Sequence, residues 1–187
     1  MSSLTLLIIR HAEKPGEGFP GDGFTEAGED DDKSLVIRGW QRAGSWATLL
    51  GSGRGGADYP TPSFIYAATP GDQANRGPSR RPAETVSPLA AKLGLQVNSK
   101  YGQGAEGKLM GEVLGLSGNV LICWEHHAII GGILPAIPSV SGRMPQKWNG
   151  DRFDVVLRFD GNSRSGPFAF RELHPCSLHG DLALDLG

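Results

Sequence analysis

The stretch Leu4-Thr5-Leu6-Leu7-Ile8-Ile9-Arg10-His11 decides the fold. The apolar run from Leu4 to Ile9 ends abruptly in an arginine and a histidine. Its length suits a strand buried on both faces, as in a parallel sheet. It is too short for a membrane span or a signal h-region, and no basic residue precedes it. No other segment approaches spanning length. The default expectation is a cytoplasmic protein with no membrane partner.

Outward from that strand, Pro15 to Lys33 is rich in glycine and acid and has no periodicity, which predicts a long exposed loop. Trp40, Ala43, Ala47 and Leu50 then recur at helical spacing, and Gly51 and Gly53 stop the helix. Phe64 to Ala67 reads as a second strand. The loop Thr69 to Ser79 leads into a helix with Val86, Leu89, Ala90 and Leu93 on one face and Gly94 as its stop. Pro88 inside that helix costs about 3 kcal/mol in a regular interior, so a kink is expected. Gln96 to Asn98 suits a short edge strand and Glu106 to Leu116 a helix. Val120 to Trp124 is a third strong strand, and Ala128 to Leu134 a short buried helix. Phe153 to Phe159 alternates as a strand does, with Phe168 to Leu173 as its partner. Strands alternating with helices predict an α/β fold in three layers. A mostly parallel central sheet would be flanked by helices, in one domain over residues 1–187.

In such sheets ligands bind outside the carboxyl ends of the strands. Arg10 and His11 stand at that end of the first strand. Arg81 follows the loop after the second, and His126 lies just beyond the third. Four groups suited to phosphate, distant in sequence, are thus expected on one edge.

The net charge of −2 argues against a nucleic-acid binder that depends on bulk positive charge. An anionic ligand must then be held by a local basic cluster. Cys123 and Cys176 do not make a disulfide framework, and Cys123 reads as a small buried hydrophobe. His126, His127, His174, Cys176, His179 and Asp30 to Asp32 invite a metal reading. No pair of them has a compact ligand spacing backed by a second pair, so neither metal nor cofactor is expected.

Four motifs in order carry a family resemblance. Arg10-His11-Ala12-Glu13-Lys14-Pro15 follows the first strand, and Leu35-Val36-Ile37-Arg38-Gly39-Trp40-Gln41-Arg42-Ala43 opens the first helix. Ser79-Arg80-Arg81-Pro82-Ala83-Glu84-Thr85 places Arg81 four residues before a threonine. Val120 to Ile130 carries Trp124-Glu125-His126. Together they resemble the histidine phosphatase superfamily, the phosphoglycerate-mutase-like proteins, from Leu4 to about Leu134. The resemblance implies that fold and a metal-independent phosphatase acting on a small phosphomonoester. His11 would attack phosphorus and form a phosphohistidine that water hydrolyses. Arg10, Arg81 and His126 would bind the phosphate, arginine forks being suited to its oxygens. Glu106 would protonate the leaving oxygen, with Glu125 as its rival. Arg80 or Arg76 could take the place of Arg81, and His127 that of His126.

The chain departs from the family where Ala12 replaces the usual glycine, where Val36-Ile37 replaces Thr-Pro, and where Pro82 replaces alanine. A hydroxyl N-cap lost at the second site typically costs about 1 kcal/mol, which touches stability rather than chemistry. The acidic loop after the first motif disfavours highly anionic substrates, and therefore a phosphatase is favoured over a mutase-type phosphotransferase. A phosphate- or phosphopeptide-binding protein without catalysis is the third reading.

Overall fold

A computed structural model describes residues 3–16, 18–72, 77–162 and 166–187. Strand β1 (Ser3–Arg10) lies between β4 (Gly118–Trp124), parallel to it, and β6 (Val156–Asn162), antiparallel to it. This central position is why Leu4 to Ile9 is apolar without alternation: both faces are covered. Leu6 and Ile8 join one core with Val120, Ile122 and Trp124. Leu7 and Ile9 join another, on the opposite face, with Leu121 and Cys123.

Helices α1 (Ile37–Gly51) and α2 (Arg81–Leu93) cover the Leu7 face through Trp46, Leu50, Val86 and Leu89. Gly94 ends α2 in the left-handed conformation at φ 65°, where glycine carries no Cβ penalty. The Leu6 face is covered by α3 (Glu106–Val113) and by α4 (His126–Ala128), which runs on through a π turn, Ile129–Ile133, and a 3-10 turn, Leu134–Ala136. The remaining strands are β2 (Phe64–Ala67), β3 (Val97–Asn98), β5 (Val140–Ser141) and β7 (Phe168–Leu173).

The sheet order is β3-β2-β4-β1-β6-β7-β5. The expectation of a mostly parallel sheet is corrected to a mixed one. β3, β2, β4 and β1 run parallel, but β6 is antiparallel to β1 and β7 to β6. The reason is connection length. β6 and β7 are joined by too few residues for a parallel crossover, which needs a dozen or more. The sixth strand also starts later than its alternation suggested, at Val156, because Phe153 and Asp154 leave the ladder to pack over Arg10 and the C-terminal tail. The acidic loop is exposed over most of its described length, as expected, but Gly23, Thr25 and Asp31 are buried, and Phe24 bridges to Asp30 and Leu35. Glu17 and Arg76 lie outside the described residues. Among the described residues no helix is long and apolar enough to cross a membrane.

Candidate phosphate site at the strand ends

Because β2, β4 and β1 are parallel neighbours, their carboxyl ends share one edge. Arg10 pairs with Trp124, and the His11 N–H extends the ladder by donating to Trp124 O at 2.9 Å. The chain then turns into a cradle built by two helices. The Ala12 N–H donates to Thr85 Oγ1 at 2.8 Å, and that hydroxyl donates to Arg81 O at 2.7 Å. The Val36 N–H reaches Glu13 O at 3.2 Å. At Gly39 a Cβ would stand 2.4 Å from Glu13 O, so a glycine is what lets α1 come this close. The Ala12 methyl is accommodated between Leu35 and Ala43. Thr85→Val leaves the Ala12 N–H buried without a partner, a loss of about 1–3 kcal/mol, readable as a lower urea midpoint.

The backbone also sets the tautomer of His11. Nδ1 lies 2.8 Å from Ala12 O, and a carbonyl can only accept, so Nδ1 carries the proton and Nε2 keeps its lone pair. The ring is 3% exposed. Burial, reinforced by the charge of Arg10, pushes its pKa down to about 3 despite the bond to Ala12 O. His11 is therefore a neutral imidazole at physiological pH.

Arg10 is 1% exposed and does two things with one guanidinium. Nη1 donates to the carbonyls of Asn149, Gly150 and Arg152 at 3.3, 2.8 and 3.0 Å. Its Cζ lies 3.8 Å over the Phe153 ring, which also stands 6.0 Å from His11. Nε and Nη2 are buried without a hydrogen-bond partner among the described residues. Burial lowers the pKa of Arg10 to about 10, against the pull of Glu125, Glu13 and Asp151, so it stays charged at neutral pH. Arg81 acts electrostatically on both Arg10 and His11. Its Nε and Nη2 donate to Ser34 O and Asp32 O at 3.3 and 2.6 Å. Arg80 points elsewhere, to Gly71 O at 3.1 Å.

Glu125 caps α4, accepting the Ala128 N–H at 3.0 Å, and lies within electrostatic reach of His11 and Arg10. Burial works to raise its pKa, but His126 and the N–H groups of His127 and Ala128 outweigh this and hold it at about 2. The His126 side chain is 13% exposed, with Nδ1 2.5 Å from Glu125 Oε1. His127 is exposed and stacks on it at 4.0 Å between ring centroids. Glu106 sits on the α3 side of the same edge. Its Oε1 accepts the Trp124 indole N–H at 2.9 Å and the Gly104 N–H at 3.0 Å, while Oε2 makes no hydrogen bond among the described residues. The main charges acting on His11 are Arg10, Arg81 and Glu125; Glu106 is not among them.

Among the described residues two three-residue groups could hold a metal ion, Glu125 with His126 and His127, and Glu172 with His174 and Asp185. Neither includes Cys176, His179 or Asp30 to Asp32.

Sequence reasoning missed the Phe153 lid on Arg10, the Asn149–Arg152 carbonyls and the clamp behind Glu13. There Arg42 binds Glu13 at 2.8 Å and Asp181 of the C-terminal tail at 2.8 Å, all three nearly fully buried. The only signal available was Arg42 within an amphipathic helix, on the face that turns inward.

No family model and no curated protein matches the chain. Among solved structures it is similar to a protein described as Mycobacterial hydrolase 2. The TM-score is 0.52 over 92% of this chain and 90% of that one, at 13% identity. At that identity the likeness is one of overall fold.

Proposed function

We propose that the chain is a metal-independent phosphatase of phosphoglycerate-mutase-like fold, hydrolysing a phosphomonoester through a phosphohistidine on His11. One observation carries this reading. Two buried donor nitrogens of Arg10, Nε and Nη2, have no partner among the described residues, and they stand beside a neutral histidine whose Nε2 makes no hydrogen bond among those residues. A buried donor left unsatisfied costs about 1–3 kcal/mol, which a bound phosphate oxygen would recover. Arg81 adds positive charge from the α2 side. Positioned charge of this kind is what phosphoryl transfer chiefly needs from a protein. The name of the structural neighbour, a hydrolase, agrees with the coarse class of reaction.

In the reaction Nε2 of His11 forms a bond to phosphorus as the ester oxygen leaves and takes a proton. Water then attacks the phosphohistidine, releasing inorganic phosphate and restoring the imidazole. Glu106 donates the proton to the leaving oxygen and regains one from the attacking water in the second step. Glu125, held ionised, suits orientation of His126 rather than proton donation, and His126 donates to the phosphate.

The test is release of phosphate from p-nitrophenyl phosphate in the presence of EDTA. No turnover by the native chain, with vanadate still bound, would move the reading to a phosphate-binding protein. The pH profile is a second check. With its pKa at about 3, His11 is already neutral across pH 5–8. After correction for substrate ionisation, kcat/KM should show no inflection from His11 near its ordinary value of about 6.5. In stability the same shift acts in one direction. Above about pH 6.5 both states are neutral, but between there and about 3 the unfolded chain alone takes the proton. Its contribution is therefore lost as pH falls through that window.

A further inference from the structure

Glu125, His126 and His127 leave the end of β4 consecutively, yet their side chains converge. One ligand atom from each lies within 4.8 Å of the other two. The two imidazole rings are 4.0 Å apart between centroids and tilted by 36°. Glu125 Oε1 comes within 2.5 Å of His126 Nδ1, but that nitrogen is buried and makes no aligned hydrogen bond. A borderline-soft cation relieves this by accepting both donors at once.

We propose that Glu125, His126 and His127 form a binding site for zinc, and that zinc bound there inhibits the reaction at His11. The inhibitory half rests on the function proposed above; the binding half does not. Zinc takes nitrogen and oxygen ligands at about 2.0–2.2 Å in a tetrahedron, which sets the ligands about 3.3 Å apart. The Glu125–His126 contact must therefore open from 2.5 Å, and the other separations close from at most 4.8 Å. Side-chain rotation suffices, and exposed His127 provides the entry from solvent. Opening the contact turns the His126 ring from the orientation Glu125 gives it, and so takes its donor off the phosphate. Two imidazoles and one carboxylate also select against magnesium and calcium, which prefer oxygen.

The charges around the site act in both senses. Glu125 favours a dication and Arg10, which interacts with it, opposes one. The second cluster is a poorer zinc site. It has a single imidazole, His174 Nε2 is already bonded to Asp185 at 3.0 Å, and Glu172 accepts the Leu186 N–H at 2.7 Å. It serves as the internal control.

The experiment is calorimetric titration of the full chain with zinc chloride, paired with visible absorption of the cobalt(II)-loaded protein. The native chain and His174→Gln should bind zinc alike and show a tetrahedral cobalt band. His127→Gln should weaken zinc binding by roughly tenfold or more and lose the band. In parallel, zinc should suppress p-nitrophenyl phosphate hydrolysis by the native chain and by His174→Gln. Measured against its own metal-free rate, His127→Gln should resist zinc. Equal zinc affinity in His127→Gln and the native chain overturns the site, as does absence of binding in both. Binding that depends on His127 but leaves hydrolysis untouched overturns the inhibition. If no variant hydrolyses the ester and zinc binding still depends on His127, the metal site stands and the phosphatase reading falls.

Discussion

His11→Ala is expected to lower p-nitrophenyl phosphate turnover on the order of 10⁴-fold or more, as removal of a covalent nucleophile does. The fold should survive, because the loop carrying His11 is held by backbone groups: the His11 N–H on Trp124 O, the Ala12 N–H on Thr85 and Glu13 O on Val36. His11→Asn is the paired variant. It keeps a donor near Ala12 O but has no basic nitrogen, so it should be as inactive as the alanine variant. Circular dichroism of both should match the native chain. Quenching the native reaction with labelled substrate should trap a phosphoprotein that is labile to acid and stable to alkali, as a phosphorus–nitrogen bond is. EDTA should leave the rate unchanged. Turnover retained in His11→Ala would falsify the central reading, because no other imidazole on this edge has its Nε2 freed by a backbone bond at Nδ1.

The largest stability effect is expected at Arg42. Its guanidinium, 2% exposed, binds Glu13 Oε1 at 2.8 Å and Oε2 at 3.0 Å. It also binds Asp181 Oδ1 at 2.8 Å and Oδ2 at 3.1 Å. Burial alone would lower the pKa of Arg42, but the bonds from Asp181 and Glu13 outweigh it and raise it. Arg42→Met fills much of the same volume yet strands two buried carboxylates but for Arg38, which stands 3.2 Å from Glu13 and 3.8 Å from Asp181. Breaking a buried pair in this way costs about 3–5 kcal/mol, readable from urea unfolding. The loss should shrink toward low pH, where the stranded carboxylates protonate and their burial is less costly. A cost below about 1 kcal/mol would class the contact with solvated surface pairs and sink the idea of a clamp. Because Glu13 is two residues from His11, Arg42→Met should also reduce turnover.

Legibility followed the physics of each element. The first strand was plain because a central strand needs apolar residues on both faces, and Leu4 to Ile9 has them. The helix ending at Leu93 was plain because Gly94 takes the left-handed conformation at its end. The mixed character of the sheet was not, since an alternating run such as Phe153 to Phe159 is the same in a parallel and an antiparallel strand. Its early residues misled for another reason: Phe153 is apolar because it packs on Arg10, not because it lies in the ladder. The acidic stretch looked like loop throughout, yet the two residues that follow it, Ser34 and Leu35, are tied to Glu84 at 2.6 and 3.1 Å, a long-range contact that no local pattern announces.

By itself the sequence determined where the candidate residues stand in the elements: Arg10 and His11 end one strand, Arg81 starts a helix, and His126 follows another strand. The order and type of the elements follow from local periodicity, which is written along the chain. Only the tertiary structure decided what those residues are able to do. It buries His11 and directs the Nδ1 proton to Ala12 O, uses one edge of Arg10 on the Asn149–Arg152 carbonyls, and leaves the other edge without a partner among the described residues. It also brings Asp181 to Arg42 across the whole chain. Desolvation and hydrogen-bond partnership depend on which surfaces meet in space, and neighbours in sequence do not determine them.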